Sequence, residues 1–482
     1  MKVLLLNPPF KPHFVRSGRW QGASARSGGM DYPKWLAYST GLLEEHGFDV
    51  KLIDAPADNK SLDEVINEHY EYKPDIIVLE TNFSSLVNDI QVAKVMREKY
   101  HTKVIFVGPP VAVYEDRIMS NGHIDIVIRK EYDFQLLKVI KRLNKGKPID
   151  DIENVTYKKN GKVIKNTNVC FSTSDDLDTL PFVSKVYKKH LNIRNYYLSQ
   201  SLYPEVQIFA GRGCPQLCTF CQWPENLTGR GFRIRSVDNL LEEFKWIKEN
   251  LPEVNDIFIE DDTFTTNKKY IAEFCQKLID SNLKITWSCN SRADLDYDTL
   301  KKMKKAGCRL LITGFESGSD EILKGIKKGI TTKQSIEFSK NAIKAGLLVH
   351  ADFIVGLPGE TQETAQQTLD LIKKMKPDLL QVAIASPIPG TAFYNYVKEN
   401  GFLLIDDMSK SIDADGFQKC IISYPDFTKE DIEFYLGHIL KSYYFSPKYI
   451  FTFFRSMKNG GGIHHIKTMS KGLIDFLNFI RK

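Results

Sequence analysis

Short apolar runs alternate with helix-like stretches over the first 145 residues. The runs are rich in Val, Ile, Leu and Phe and predict strands buried on both faces, at Lys2–Leu6, Asp49–Ile53, Ile76–Glu80, Lys103–Val107 and Ile124–Ile128. Helical stretches lie between them, at Trp35–Glu45, Leu62–Glu71, Ser85–Lys99 and Phe134–Asn144. This alternation predicts a doubly wound α/β domain over residues 1–145, in which ligands bind beyond the carboxyl ends of the strands.

The alternation is interrupted at residues 146–196. Two short strands, Val155–Tyr157 and Lys162–Lys165, flank Asn160-Gly161 and predict a small hairpin. Asp175–Pro181 has the composition of a linker. We therefore expect residues 146–196 to connect two domains.

A second and longer series of strands and helices follows. Six candidate strands lie at Val206–Ala210, Asp256–Glu260, Ile285–Cys289, Arg309–Thr313, Val349–Val355 and Leu379–Ala385, with helices between them at 237–250, 267–282, 296–306, 332–346 and 361–376. Six consecutive units predict a partial TIM-type (β/α)6 barrel over residues 197–400, with its chemistry at the carboxyl ends of the strands. Residues 401–482 are expected to form a separate helical extension.

Length and cysteine content narrow the class of protein. The chain has 482 residues and 8 cysteines, and no apolar run is long enough to span a bilayer. Only four apolar residues separate Lys2 from Asn7, too few for the core of a signal peptide. We therefore expect a cytoplasmic protein with reduced thiols rather than a disulfide framework.

The positive charge of the chain is concentrated at its C-terminal end. The net charge is +6, but residues 441–482 hold eight Lys and Arg against one acidic residue, so the rest of the chain carries −1. That balance argues against nucleic acid as a partner. The same segment contains nine aromatic residues, which is typical of a helix lying at a membrane surface and equally of a packed C-terminal cap. Peripheral contact with the membrane through residues 441–482 is therefore expected as one of two alternatives.

The strongest chemical signal is a group of three cysteines in the loop after the first barrel strand. Cys214, Cys218 and Cys221 fall within eight residues. Thiolates select iron–sulfur clusters, zinc or copper(I), and structural zinc sites generally use four ligands. The remaining cysteines are single and scattered, at 170, 275, 289, 308 and 420. Three cysteines on a four-iron cluster leave one iron open, as a catalyst requires, whereas a zinc site and three buried thiols are the alternatives.

This C-x3-C-x2-C spacing after the first strand of a barrel resembles the radical S-adenosylmethionine (SAM) superfamily. The resemblance implies a [4Fe-4S] cluster on Cys214, Cys218 and Cys221, whose open iron binds SAM and whose electron cleaves it to a 5′-deoxyadenosyl radical. Phe220, the aromatic residue before the third cysteine, would pack near the adenine. A simple core aromatic is the alternative for Phe220.

The ends of the second and third barrel strands also match positions of this superfamily. The resemblance places Glu260 and Asp261 near the methionyl amine of SAM, although a solvated turn would explain the same acidic residues. Arg292, after the third strand, would pair with the carboxylate of SAM, since guanidinium groups bind carboxylates through two hydrogen bonds.

The fourth and fifth barrel strands complete the match. Gly314, Glu316 and Ser317 end the fourth strand, where the resemblance implies that Glu316 accepts hydrogen bonds from the ribose hydroxyls. Phe353 and Val355 lie in the apolar fifth strand, which would flank the adenine. Each position alone is weak evidence, but the order of all five over some 180 residues matches the superfamily.

The N-terminal unit resembles the cobalamin-binding domain that precedes many radical SAM barrels. Asn7, Ser84, Ser85 and Gly108 follow strands at the points where that domain holds the corrinoid and its nucleotide tail. The D-x-H-x-x-G motif is absent, so no histidine is expected to bind cobalt from below. Pro109 stands where a second glycine is common and removes a backbone donor. A vestigial domain that only shapes the substrate pocket is the alternative.

Further motifs resemble the radical SAM enzymes that build cyclitol ether headgroups on hopanoids and calditol on archaeal tetraether lipids. These motifs are Leu52–Pro56, Gly211–Cys214, Cys218–Pro224, Phe232–Ser236, Trp287–Asn290 and Ile326–Gly329. The resemblance implies ring contraction of a sugar on a polyisoprenoid lipid, with a lipid-linked sugar as substrate and a flavodoxin or ferredoxin as electron donor. Trp223, Arg230 and Arg233 are candidates for substrate contacts or for a packed lid.

Two other functions remain open from the sequence. One is a cobalamin-dependent radical SAM methyltransferase acting on an unactivated carbon. The other is a non-catalytic iron–sulfur interaction module, which would cleave no SAM.

Overall fold

The computed structural model describes residues 1–16, 18, 22–25, 28–446 and 449. Its N-terminal part contains the strands β1 (Lys2–Asn7), β2 (Phe14–Val15), β3 (Ala23–Ser24), β4 (Asp49–Asp54), β5 (Ile76–Glu80), β6 (Lys103–Val107), β7 (Ile126–Ile128), β8 (Val155–Lys159) and β9 (Lys162–Lys165). The helices of this part are α1 (Lys34–Glu45), α2 (Leu62–His69), α3 (Leu86–Tyr100), α4 (Val111–Met119) and α5 (Asp133–Asn144). The predicted alternation of strands and helices is therefore confirmed.

The N-terminal sheet has seven strands in the order β4-β1-β5-β6-β7-β8-β9. The first five are parallel and buried, as their apolar composition predicts. The strand order reverses at β1, so the crevice between β1 and β5 is the point where a doubly wound sheet binds ligands. Residues 8–33 leave β1 at this edge and carry the small β2–β3 hairpin.

The hairpin at residues 155–165 differs from the prediction. β8 pairs antiparallel with β7, so the hairpin extends the N-terminal sheet instead of lying in a linker. The hydrophobic pattern of β8 does not reveal its partner, because strand pairing depends on which sheet edge is open. The expected linker also contains two helices, α6 (Ser174–Asp178) and α7 (Val183–His190), and α7 packs on α1.

The second unit contains β10 (Glu205–Ile208), β11 (Gly211–Arg212), β12 (Arg233–Ile234), β13 (Asp256–Ile259), β14 (Trp287–Ser291), β15 (Cys308–Glu316), β16 (Leu348–Val355) and β17 (Leu379–Ile384). Its helices are α8 (Val237–Asn250), α9 (Lys268–Asp280), α10 (Tyr297–Lys305), α11 (Asp320–Gly325), α12 (Thr332–Lys344) and α13 (Gln362–Met375). The six long strands pair in parallel in sequence order from β10 to β17. The sheet is open between β10 and β17, so the predicted partial barrel is confirmed.

The C-terminal part packs against the open side of the barrel. It contains α14 (Ala392–Glu399), an irregular stretch, and α15 (Lys429–Tyr444), which contacts β17 and α13. No helix among the described residues is long and apolar enough to cross a membrane. Most of the basic and aromatic segment at 441–482, with its expected membrane contact, lies outside the described residues.

Candidate active site

A cavity of about 1340 Å³ opens at the carboxyl ends of the barrel strands. Its walls come from the cysteine loop after β11, the ends of the barrel strands, the loop at residues 15–31, and α15. Eight predicted site residues line it, namely Cys214, Cys218, Phe220, Cys221, Glu260, Arg292, Gly314 and Glu316. The structure therefore brings most of the site residues predicted in the barrel together in one cavity.

The cysteine loop is held by backbone contacts at both ends. The Cys214 amide donates to the Gly229 carbonyl at 3.3 Å, and the Thr219 amide donates to the Ile326 carbonyl at 3.0 Å. The three loop thiols are partly exposed to the cavity, whereas four of the other cysteines, at 275, 289, 308 and 420, are buried. The three loop thiols thus differ from the four buried cysteines because they are accessible from the cavity and lie close together in the sequence.

The number of loop thiols suits an iron–sulfur cluster better than a structural zinc site. Cys214, Cys218 and Cys221 all line the cavity. Structural zinc sites generally use four ligands, whereas three cysteines on a four-iron cluster leave one iron open to a ligand in the cavity.

Glu316 presents a buried carboxylate oxygen to the cavity at the end of β15. It adopts a left-handed backbone conformation with φ +65°, at an irregularity in the pairing of β15 with β16. One carboxylate oxygen accepts from Lys328 Nζ at 2.6 Å, while Oε2 is buried and has no hydrogen-bond partner among the described residues. A Cβ at Gly314 would collide with the Glu316 carboxylate, so glycine leaves it room. Glu316 thus offers a buried acceptor to a ligand with hydroxyl groups.

The two acidic residues after β13 have different surroundings. Glu260 lines the cavity and forms an ion pair with the fully buried Lys34 of the N-terminal domain. Asp261 does not line it, because its carboxylate accepts from the Ala210 amide at 2.7 Å. One oxygen of Asp261 therefore joins two strand ends, and its contact with the methionyl amine stays a prediction. Arg292 lines the cavity and donates through Nε to Asp294 at 3.0 Å.

The fifth barrel strand presents the opposite face from the one predicted. Phe353 and Val355 point toward the helices, where Phe353 stacks on Phe315 at 5.8 Å between ring centroids. His350, Asp352 and Ile354 line the cavity instead. Side chains alternate along a strand, so a shift of one residue exchanges the two faces. Ser317 is also outside the cavity lining, and its hydroxyl accepts from the Ser319 amide at 3.2 Å.

The pair of His350 and Asp352 was missed by the sequence reasoning. His350 Nε2 lies 3.5 Å from Asp352 Oδ1, and both residues face the cavity from β16. Burial lowers the pKa of His350 to about 4, so the imidazole is neutral at physiological pH. Two polar residues at alternate positions of an otherwise apolar strand were the signal that could have revealed them.

The predicted substrate contacts after the cysteine loop are also corrected. Trp223 is buried, Arg230 pairs with Glu225, and Arg233 pairs with Glu131. None of these three side chains lines the cavity. They form a packed region beside the loop, which is the other alternative that the sequence allowed.

The residues predicted to hold cobalamin are engaged within the protein. Asn7 donates to Asp54 at 2.7 Å and accepts from Arg16 at 2.9 Å, while Ser85 donates to Asp89 at 2.6 Å. The side chains of the buried Arg16 and Asp89 form an ion pair of 2.7 Å in the crevice between β1 and β5. The crevice is therefore already filled by side chains where the nucleotide tail was expected.

Two further predicted residues of this group have structural contacts. Ser84 lies 3.1 Å from the Ser411 hydroxyl in the C-terminal part. Gly108 has φ +113°, and a Cβ there would collide with the Thr81 carbonyl. None of these four residues, Asn7, Ser84, Ser85 and Gly108, lines the cavity described above, and their role in cobalamin binding stays a prediction.

Several of the described residues on the N-terminal side of the cavity are small, and we call them the small-residue wall. They come from the loop at 15–31 and include Gly18, Ala23, Ser24, Ala25 and Gly29. No histidine is found among the described residues of this wall.

Two family models match separate parts of the chain. The model described as the radical SAM superfamily matches residues 208–372, and the B12 binding domain model matches residues 22–135. An uncharacterized methyltransferase of Pyrococcus horikoshii is 30% identical over 452 residues, which cover 93% of each chain. The chain belongs to the radical SAM enzymes that carry a B12-binding domain.

This B12-binding radical SAM enzyme is also similar to two other proteins, one in sequence and one in structure. The anaerobic magnesium-protoporphyrin IX monomethyl ester cyclase of Rubrivivax gelatinosus is 26% identical over 407 residues, 81% of this chain and 68% of the cyclase. The fold matches the methyltransferase TsrM of Kitasatospora setae, solved with cobalamin and a [4Fe-4S] cluster. The TM-score is 0.71 at 14% identity, over 92% of this chain and 89% of TsrM.

The cofactors of this radical SAM enzyme are a [4Fe-4S] cluster, SAM and cobalamin. The cavity presents the three loop thiols and the buried acceptor of Glu316, which fit the cluster and SAM.

We predict that this enzyme binds cobalamin without a histidine ligand from below. No histidine lies among the described residues of the small-residue wall, and the motif that would supply one is absent. The electron paramagnetic resonance (EPR) spectrum of bound Co(II) cobalamin should therefore lack nitrogen splitting from a protein imidazole. Protein labelled with ¹⁵N-histidine provides the control, because a spectrum that changes with this label would contradict the prediction.

Proposed function

We propose that the enzyme transfers a methyl group from SAM, by way of cobalamin, to a carbon atom of a substrate in the cavity. The observation that carries the proposal is that the three thiols, the buried Glu316 carboxylate and described residues of the N-terminal domain line the same cavity. The full-length similarity to a protein named as a methyltransferase supports the same reaction.

Residues of the chain can be assigned to tasks within this reaction. The cysteine loop holds the cluster, Glu316 accepts from the ribose hydroxyls, and Arg292 binds the carboxylate of SAM. The strands β16 and β17 present His350, Asp352 and Gln381 to the substrate. Apolar side chains between these groups, among them Phe258, Ile312, Ile354 and Leu357, exclude water from the reacting atoms.

Methyl transfer by way of cobalamin predicts a product that neither ring contraction nor a non-catalytic module would give. When the reduced holoenzyme is mixed with SAM and no substrate, we expect about one S-adenosylhomocysteine per bound cobalamin, because the first methyl transfer needs no acceptor. Quenched-flow sampling with mass spectrometry measures it. Protein reconstituted with the cluster but without cobalamin is the control and should give none. Formation of 5′-deoxyadenosine alone, with no S-adenosylhomocysteine, would contradict the proposal.

The same measurement separates the remaining alternatives. Ring contraction of a lipid-linked sugar rests on the motif resemblance, and it predicts 5′-deoxyadenosine without S-adenosylhomocysteine. The non-catalytic module predicts neither product. The lipid-linked sugar, the flavodoxin or ferredoxin donor and the membrane contact of residues 441–482 stay predictions from the sequence.

A further inference from the structure

Two arginines face each other in the hairpin that frames the cysteine loop. β11 and β12 pair antiparallel on the two sides of this loop, and Arg212 lies directly opposite Arg233. Like charges at opposed positions destabilise a pair of strands. Arg212 is only 2% exposed, so water does little to screen this charge. The hairpin therefore needs carboxylates from elsewhere in the protein.

The carboxylates come from the N-terminal domain. Asp133 lies 2.6 Å from Arg212, and Glu131 lies 2.9 Å from Arg233 and 3.9 Å from Arg212. Glu131 belongs to the segment that joins β7 to α5, Asp133 is the first residue of α5, and both are buried. We call Arg212, Arg233, Glu131 and Asp133 the arginine–carboxylate clamp. Its charges balance within the clamp, with two residues from each domain.

Aromatic rings of the N-terminal domain complete the surroundings of Arg212. The guanidinium carbon lies 4.3 Å from the ring centre of Trp35 and 5.4 Å from that of Tyr38, both on α1. A desolvated guanidinium over aromatic faces is stabilised by the ring quadrupoles. Arg212 belongs to the barrel, yet its carboxylate partners and two of its ring contacts come from the other domain.

The backbone links Arg212 closely to Cys214, the first cysteine of the loop. Only Gly213 separates Arg212 from Cys214. Gly213 has φ +84°, and a Cβ there would collide with the Gly231 carbonyl on the other side of the loop. The two arms of the loop are thus pressed together at this residue, with little space for Arg212 to move without moving Cys214.

We propose that the arginine–carboxylate clamp makes the N-terminal domain part of the cluster-binding structure. Arg212 and Arg233 act as positioning residues that fix the cysteine loop for its cluster and for SAM. The domain that binds cobalamin then sets the geometry of the other cofactor as well. A purely structural ion pair would add stability without affecting the cluster.

A buried ion pair elsewhere in the barrel provides the matched control. Asp256 and Arg309 lie 3.2 Å apart between β13 and β15, with side chains 0% and 5% exposed. This pair lies toward the amino ends of the strands, away from the cysteine loop. Asp133→Asn and Asp256→Asn therefore remove the same charge from pairs of similar burial.

The test uses the full-length enzyme reconstituted anaerobically with cluster and cobalamin. We expect both variants to melt at lower temperature than the wild type. Only Asp133→Asn should change the EPR spectrum of the reduced cluster with SAM and slow 5′-deoxyadenosine formation by about 10- to 100-fold, because a small misplacement of reacting groups has effects of that size. Asp133→Glu, which keeps the charge, should recover part of the rate and of the wild-type spectrum.

Two outcomes would overturn the proposal. One is an Asp133→Asn enzyme that is folded and has the spectrum and rate of the wild type. The other is an Asp256→Asn enzyme with the same spectral change and rate loss as Asp133→Asn. If Asp133→Asn does not fold, Glu131→Gln is measured against the same criteria, because glutamine can still accept the hydrogen bond that Ser172 donates at 2.6 Å.

Discussion

Replacing Cys214, Cys218 and Cys221 together by alanine is expected to abolish the [4Fe-4S] cluster and the formation of 5′-deoxyadenosine. A methyl group cannot bind iron, and the buried cysteines cannot substitute. Cys275, Cys289 and Cys308 line no part of the cavity, and Cys420, which does, is one thiol where the cluster needs three. Iron and sulfide analysis, visible absorbance and mass spectrometry of the nucleoside measure the effect.

Cys170→Ala is the matched control for this variant. Cys170 is also partly exposed but does not line the cavity. The Cys170→Ala enzyme should keep full iron content and full activity. Retention of iron and sulfide by the triple variant would show that the cluster is bound elsewhere.

Replacing Glu316 by alanine is expected to weaken the binding of SAM by about 10- to 150-fold, or about 1.5–3 kcal/mol. That is the range for hydrogen bonds to a charged group, and Glu316 Oε2 is a buried acceptor without a hydrogen-bond partner among the described residues. The substitution also leaves Lys328 without its carboxylate. Equilibrium dialysis of SAM with the reconstituted enzyme measures the dissociation constant.

Two other variants separate binding from stability. Glu316→Gln keeps the backbone conformation and one acceptor oxygen, so its loss of affinity should be smaller than that of alanine. Glu243→Ala removes another fully buried carboxylate, which lines no part of the cavity, and should leave SAM binding unchanged. Equal affinities of the Glu316→Ala and wild-type enzymes would exclude Glu316 from the SAM site.

Much of the part of the site that the barrel forms could be predicted from the order of its residues along the chain. The cysteine spacing identifies the cluster loop because its ligands are neighbours in the chain, and a local motif needs no tertiary information. Glu260 and Arg292 follow β13 and β14, and Glu316 is the last residue of β15. The carboxyl ends of parallel strands meet at one edge of the barrel. Their common cavity could therefore be predicted before any contact was known.

The errors at β16 have a different origin. This strand is buried on both faces, so its apolar residues give no sign of which side faces the cavity. Phe353 and Val355 were assigned to the cofactor from their place in the strand order. The structure places His350, Asp352 and Ile354 there, because helix packing on the other face sets the alternation.

The sequence by itself determined the two α/β units, the order of their main strands and the cluster cysteines, since these depend on short-range periodicity and local spacing. Tertiary structure decided what depends on distant partners. Arg16 and Asp89, 73 positions apart, fill the crevice expected for the cobalamin tail. Asp133 and Arg212, 79 positions apart, join the two domains beside the cysteine loop. Such pairs leave no periodic trace, because a buried charge is fixed by the partner that folding brings to it.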